Sequence, residues 1–146
     1  AAGGASLDEV VGAAKNAVGR SEVICLMDTL EYLEKGGRIG KAQALLGALL
    51  SIKPMIAVKD GEVHPLDRPR TRAKGIARLK QIASEMAPVT RLCVMYSTAD
   101  EAAHDLAREL AVLVPEGESP MVARFGPGLG TYVGPDALGV SLLRAG

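Results

Sequence analysis

Apolar residues recur along the chain in two patterns, whose alternation predicts a mixed α/β architecture. Short continuous apolar runs at 23–27, 91–96 and 138–143 are typical of strands buried on both faces of a sheet. Longer stretches carry apolar residues at intervals of three and four, as amphipathic helices do. We therefore expect one mixed sheet of the α/β or α+β class, flanked by helices, in a single domain spanning residues 1–146.

Capping boxes predict the start of three helices, because a side-chain oxygen and a glutamate three residues later satisfy free N–H groups of the first turn. These pairs are Ser6 with Glu9, Asp28 with Glu31, and Thr98 with Glu101. The first helix carries an apolar face formed by Leu7, Val10, Val11, Ala14 and Val18. A further helix is expected to begin near Thr71 and to end before Pro88.

A β-hairpin is predicted at residues 55–66, where Asp60 and Gly61 separate two extended runs. Asp-Gly suits the tight turn of a hairpin, which needs positive φ at both central positions. Pro65 cannot donate a ladder hydrogen bond, so the second strand of the hairpin should lie at an edge of the sheet.

The stretch 28–54 predicts a helix, a break at Gly36 and Gly37, and then a more apolar helix over 42–50. Arg38 stands alone at the break, where it either caps the carbonyl groups of the first helix or faces a ligand. The apolar helix is either buried all round in the core or lines a slot for an apolar ligand tail. Both alternatives stay open on the residues alone.

Composition narrows the classes of partner. Lys plus Arg and Asp plus Glu both number 17, so a net charge of zero gives no electrostatic argument for nucleic acid. No apolar run approaches the roughly 18 residues of a membrane span. Cys25 and Cys93 lie within separate apolar runs, as free thiols do in a reducing cytoplasm. Metal-ligand spacings of Cys and His are missing from the sequence, so we expect neither a metal site nor a cofactor.

Three groups of residues could carry chemistry. The glycine-rich segment 126–135 is read as a loop whose amides and Thr131 hydroxyl could hold an anion, or as a plain connection between strands. Arg68, Arg70 and Arg72, spaced by two, suit an acidic partner or form a solvated basic loop. A hydrolytic triad can be written with Ser97, Asp100 and His104, but no nucleophile elbow precedes the serine. We therefore do not expect an enzyme.

These residues together resemble the DegV family of bacterial fatty-acid-binding proteins. The resemblance rests on five segments in matching order, at residues 28–43, 52–56, 59–62, 70–72 and 130–139. It implies a two-domain protein with a fatty acid held between the domains, of which this chain is the C-terminal one and the N-terminal domain is absent. It also implies a non-enzymatic carrier that presents the acyl carboxylate to a DAK-type fatty acid kinase, which makes an acyl phosphate for phospholipid synthesis.

The resemblance also implies roles for individual residues. Arg38, Thr131 and Tyr132 would lie near the carboxylate, with Tyr132 standing where the family's Gly-Thr-His element has histidine. Arg70 and Arg72 would dock the kinase. The tail of a long-chain fatty acid would be lined by Ile39, Leu45, Leu46, Leu49, Ile52 and Met55. The alternative is a structural or regulatory interaction module, in which side chains fill the slot and no ligand binds.

Overall fold

A computed structural model describes residues 3–47 and 52–146, and a six-stranded mixed sheet lies at the centre of this part of the chain. The strands are β1 Ser21–Leu26, β2 Met55–Lys59, β3 Glu62–Asp67, β4 Val89–Tyr96, β5 Met121–Arg124 and β6 Leu138–Arg144. Their spatial order is β3-β2-β1-β6-β4-β5. β4 and β5 pair in parallel, and the other adjacent pairs are antiparallel. The predicted mixed sheet is therefore confirmed.

Helices cover both faces of this sheet. They are α1 Leu7–Val18, α2 Glu31–Lys35, α3 Arg72–Glu85, α4 Asp100–Leu110 and α5 Pro127–Val133, with short 3₁₀ helices at Gly40–Leu45 and Ala111–Leu113. α3 and α4 pack on one face of the sheet, against a cluster that we call the first core. α2, the 3₁₀ helix Gly40–Leu45 and α5 pack against the other face.

The second core is the smaller cluster on that other face. Its buried residues are Cys25, Met27, Leu30, Leu33, Ala42, Leu45, Ile56 and Ala137. Successive side chains of a strand point to opposite faces of the sheet. Ile24 and Leu26 accordingly lie in the first core, whereas Cys25 lies in the second. Because both faces of β1 are buried in this way, the strand requires apolar residues at successive positions.

The hairpin and its turn are confirmed. β2 and β3 pair in antiparallel register, and the two turn residues have positive φ, 51° at Asp60 and 76° at Gly61. β3 forms one edge of the sheet, as Pro65 predicted. The first capping box is also confirmed, because Ser6 and Glu9 bond reciprocally at the start of α1. The apolar face of α1 is exposed, with Leu7 at 78% and Val18 at 76%.

The other two predicted capping boxes were wrong. The side chains of Asp28 and Thr98 bond to residues distant in the sequence instead of to the first turn of a helix. Asp28 forms an ion pair with Lys53, and the N–H of Glu31 donates instead to the hydroxyl of Thr29, at 3.1 Å. The hydroxyl of Thr98 donates to the Asp136 carboxylate at 2.7 Å and accepts the Asp136 N–H at 2.9 Å. α2 and α4 therefore begin without the predicted side-chain caps.

The apolar helix predicted over 42–50 was also wrong in its described part, which is a six-residue 3₁₀ helix ending at Leu45. Gly47, inside the predicted span, has a φ of 86°, a conformation that interrupts helices. A Cβ on Gly40 would lie 2.7 Å from the carbonyl oxygen of Val63, so this segment follows the edge of β3 closely. Residues 48–50 of the prediction lie outside the described residues.

The glycine-rich segment expected to be a loop contains a helix instead. Pro127 is the first residue of α5, a position where its fixed φ and missing N–H suit the helix. Gly134 ends α5 with a φ of 72°, which a residue with a side chain rarely adopts. The two positions together confine the helix to seven residues.

The Asp67 carboxylate joins β3 to α3, and this link predicts a pH dependence of stability. It accepts the Arg68 N–H at 2.7 Å and Nε of Arg78 at 2.9 Å, and these donors hold the pKa of Asp67 below its ordinary value of 3.8. A lowered folded-state pKa stabilises the protein above about pH 4, and the contribution is lost as pH falls through the folded-state value. We expect Asp67→Asn to lower the free energy of unfolding at pH 7, with the difference from wild type shrinking below about pH 4.

Urea denaturation of both proteins between pH 7 and pH 2.5 measures this difference. Glu116→Gln, in an exposed loop, is the matched control and should leave the pH profile of stability unchanged. A difference between Asp67→Asn and wild type that stays constant down to pH 2.5 would show that the carboxylate charge contributes nothing.

Candidate functional site

One edge of the sheet, made up of strand ends, carries Ile52, Arg70 and Arg72 among the residues singled out by the sequence. The strand pairing places the ends of β1, β3, β4 and β5 and the starts of β2 and β6 at this edge. We call it the upper edge. It is formed by residues 27–30, 52–54, 68–72, 97–99, 125–127 and 134–137.

A cleft of about 770 Å³ opens at the upper edge, beside the ends of β4 and β5. We call it the β4–β5 cleft. Its walls are Tyr32, Ser97, Thr98, Arg124, Phe125, Pro127, Gly130, Thr131, Gly134 and Pro135. Three residues were predicted to lie near a carboxylate, and of these Thr131 lines the cleft. A cleft at the carboxyl ends of parallel strands is a common position for ligand sites in α/β sheets.

Several polar groups of the cleft take part in structural hydrogen bonds. Ser97, only 9% exposed, accepts the Ala137 N–H on its hydroxyl at 2.9 Å. Its carbonyl accepts from Nε of Arg124 at 3.0 Å, and the Thr131 hydroxyl donates to the Gly128 carbonyl at 2.9 Å. His104 lies 3.3 Å from Asp100 on the exposed face of α4, and no hydrogen bond joins either side chain to Ser97 within the described residues, so the triad of Ser97, Asp100 and His104 is not assembled there.

Two tyrosines and two glycines hold α2 against α5, and we call this group the tyrosine seam. The ring of Tyr32 lies on Gly134, and the ring of Tyr132 lies on Gly36, so closely that neither glycine leaves room for a Cβ. Tyr32 and Gly134 also line the cleft, whereas Tyr132 packs against the second core. Residues of the seam therefore contact both the β4–β5 cleft and the second core.

Arg38 lies next to this seam. Its guanidinium carbon is 5.6 Å from the centre of the Tyr132 ring, and its Nη1 donates to the Gly36 carbonyl at 3.4 Å. The contact with a helix-terminal carbonyl matches the capping alternative, and the cation over the ring adds a second contact. The structure thus joins Arg38 to Tyr132, while Thr131 faces the cleft. The roles of all three near a carboxylate stay predictions.

The residues expected to line an acyl tail are divided between the two faces of the sheet. Leu45 belongs to the second core, and Ile39 and Leu46 pack against it. Met55 belongs to the first core, so Met55 and Leu45 lie in different clusters of buried residues. Ile52 is partly buried, and Leu49 lies outside the described residues. The tail-lining role of the set stays a prediction.

The arginines after β3 do not form the single row that their spacing predicted. Arg70 is exposed, but Arg72 is the first residue of α3 and is partly buried. Nη1 of Arg72 donates to the Asp136 carbonyl at 2.6 Å, and its Nη2 is buried with no hydrogen-bond partner among the described residues. A docking role for either residue stays a prediction.

The cysteines are free, as expected, and neither is an activated nucleophile. Cys25 is buried, and burial raises the pKa of its thiol to about 12. Burial also raises the pKa of Cys93 above its ordinary value. Within residues 3–47 and 52–146, no group of three His, Cys, Asp or Glu residues could hold a metal ion. No helix in these ranges has the length and apolar character needed to cross a membrane.

Comparison with known proteins identifies the family. A family model described as "Uncharacterised protein, DegV family" matches residues 1–145. The chain belongs to the DegV family. A DegV domain-containing protein of Streptomyces coelicolor is 39% identical over 140 residues, which are 94% of this chain and 50% of that protein. The chain thus spans about half the length of the curated DegV relatives it matches.

Solved structures of DegV proteins share this fold. A DegV family protein of Thermus thermophilus, whose structure concerns fatty acid binding, has a TM-score of 0.83 at 32% identity, over 96% of this chain and 51% of that one. DegV of Bacillus subtilis, a fatty-acid-binding protein, has a TM-score of 0.74 at 29% identity, over 94% of this chain and 50% of that one. The mixed sheet with helices on both faces is therefore the DegV fold over half of those chains.

Proposed function

We propose that this chain is a fatty-acid-binding domain that shelters a long-chain acyl tail and takes part in presenting the carboxylate to a fatty acid kinase. The observation that carries the proposal is the match to the T. thermophilus DegV protein over 96% of this chain. The other half of such a protein would face the upper edge and complete the carboxylate site. The domain itself would catalyse nothing, because its serine and thiol candidates are not activated.

The second core is the place for the tail in this proposal. Its border is formed by partly buried apolar residues, namely Ile39, Leu46, Val63, Phe125, Tyr132 and Val133. Burial of acyl methylenes against them stabilises a complex by about 0.8 kcal/mol each, or on the order of 10 kcal/mol gross for a long chain. Ordering and association costs offset much of this gain. The carboxylate would then lie near Arg38 and Thr131.

Docking of the kinase would use the exposed basic loop after β3. Arg70 lies there with its side chain open to solvent, and a guanidinium suits acidic groups on a partner surface. A DAK-type kinase would transfer phosphate to the presented carboxylate, and the resulting acyl phosphate would enter phospholipid synthesis. The two free thiols suit a cytoplasmic setting for this transfer.

Acyl chains bound to the purified protein test the proposal. We expect denaturing mass spectrometry of several independent preparations to release long-chain fatty acid in a fixed ratio to protein, because a buried tail dissociates slowly. Addition of the kinase and ATP should convert this acid to acyl phosphate. Preparations that hold no acyl chain, and take up none from added hexadecanoic acid, would refute lipid binding.

A structural or regulatory interaction module is the second candidate, and the closed packing of the second core favours it. Leu45 is 9% exposed and Ala42 is fully buried, so side chains of the domain fill this region without any ligand. Under this hypothesis the same mass spectrometry finds protein without lipid, while the exposed Arg70 loop still binds an acidic partner.

A further inference from the structure

Helix α1 has an apolar face that nothing in the described part of the chain covers. No residue of the helix is buried, and its exposed apolar side chains include Leu7, Val10, Val11 and Val18. A helix of 12 residues is marginal in water by itself, because most helical stability comes from packing of an apolar face. The capping box at Ser6 satisfies N–H groups of the first turn but buries no apolar surface. We therefore expect a second surface to pack against α1.

Hydrogen bonds at the end of α1 hold the helix in its present direction. Only Gly19 and Arg20 connect α1 to β1. The Ser21 hydroxyl donates to the Ala17 carbonyl at 2.8 Å, and the Arg20 N–H donates to the same carbonyl at 3.0 Å. The Arg20 carbonyl in turn accepts the N–H of Arg144 in β6 at 3.0 Å. The helix would have to break these bonds to turn its apolar face to its own sheet, whereas a second molecule reaches that face without any rearrangement.

The charges beside the apolar face make α1 complementary to itself. Asp8 lies in the first turn and Lys15 in the last turn, and both are exposed. Because seven residues are close to two full turns, the two charges lie on the same flank of the apolar face. In an antiparallel pair of identical helices related by a two-fold axis, equal flanks meet, so Asp8 faces the partner's Lys15. A parallel pair would instead bring like charges together.

We propose that α1 forms an antiparallel pair with α1 of a second copy of this chain, with Leu7, Val10, Val11 and Val18 at the interface. This inference goes beyond the proposed function and does not depend on lipid binding. Two helices of about 18 Å in length bury on the order of 800 Å² in total, at the low end of specific interfaces. The dimer is therefore reversible, with an expected Kd on the order of 10–100 μM.

Sedimentation equilibrium of the 146-residue chain between about 5 and 500 μM tests the pairing of apolar faces. We expect Val11→Asp to weaken the dimer at least about 10-fold, because it places a carboxylate in the apolar interface. Val112→Asp is the matched control, since Val112 is 85% exposed outside α1, and its Kd should equal that of the wild type. Circular dichroism of each variant checks that the helix content is retained.

Mixing of two charge variants tests the antiparallel orientation. Asp8→Lys and Lys15→Asp should each weaken self-association roughly 5- to 20-fold, because each variant opposes like charges at both ends of the pair. An equimolar mixture of the two should form a heterodimer with nearly the wild-type Kd, because opposite charges meet again. Glu116→Lys, which makes the same charge change in an exposed loop, is the control and should dimerise like the wild type.

Three outcomes overturn the proposal. A wild type that stays monomeric over the whole concentration range would show that a different polypeptide covers α1. A dimer that Val11→Asp and Val112→Asp leave equally strong would place the interface outside α1. Charge variants that dimerise like the wild type, or whose mixture does not restore the dimer, would refute the antiparallel pair. The mixing result decides even where Val11→Asp unfolds the helix, because a heterodimer forms only from two folded charge variants.

Discussion

Replacing Leu26 with alanine is expected to lower the free energy of unfolding by about 3 kcal/mol. Leu26 is fully buried in the first core at the end of β1, and it pairs with Met55 of β2 and Leu138 of β6. Truncation removes buried methyl groups and leaves a cavity that three strands cannot close. Urea denaturation at pH 7 measures the loss. Leu7→Ala, at a position 78% exposed, is the matched control and should change stability by less than about 0.5 kcal/mol.

A second variant tests the same packing, because α3 packs directly on Leu26. A Cβ on Gly75 would lie 2.5 Å from Cδ1 of Leu26. Gly75→Ala should therefore cost about 1–3 kcal/mol through overpacking, reduced by about 1 kcal/mol of improved helix propensity. In the double variant the new methyl group enters the space left by Leu26, so the two costs should fall short of additivity by at least about 1 kcal/mol. Strict additivity would contradict the contact between α3 and β1.

Patterns local in the sequence predicted most of the sheet and its larger helices. The continuous apolar run before Met27 forms β1 because alternate residues enter the two cores, and Asp60-Gly61 forms the hairpin turn because both residues take positive φ. The predicted helix caps were wrong where a residue distant in the sequence bonds to the capping side chain. Asp28 bonds Lys53 and Thr98 bonds Asp136, and neither pairing can be read from three-residue spacing.

The site was less predictable because its contacts join distant segments. Thr131 and Tyr132 are adjacent, yet one faces the cleft and the other the second core, since α5 is a helix rather than a loop. Arg72 differs from Arg70 because α3 begins at Arg72, and its partner Asp136 lies near the other end of the chain. The only local signal for the tyrosine seam was the pair of glycines that end α2 and α5.

Gly134→Ala is expected to lower the free energy of unfolding by about 3 kcal/mol, from two separate causes. The φ of 72° at Gly134 strains any residue that has a side chain, and a Cβ there would overlap the ring of Tyr32. Gly128→Ala and Gly130→Ala, in the same helix, are matched controls, because a Cβ at either position meets no atom within 4 Å. Urea denaturation of the three variants against wild type measures the difference.

The two causes can be separated by removing the ring. In Tyr32→Ala with Gly134→Ala the overlap is gone and only the backbone strain of about 1–2 kcal/mol remains, so the added cost of the glycine substitution should fall by half or more relative to the wild-type background. Because Tyr32 and Gly134 both line the β4–β5 cleft, the single variant Gly134→Ala must also push the ring out of its position in the wall. A cost no larger than that of Gly128→Ala would mean that α2 and α5 are not held by this seam.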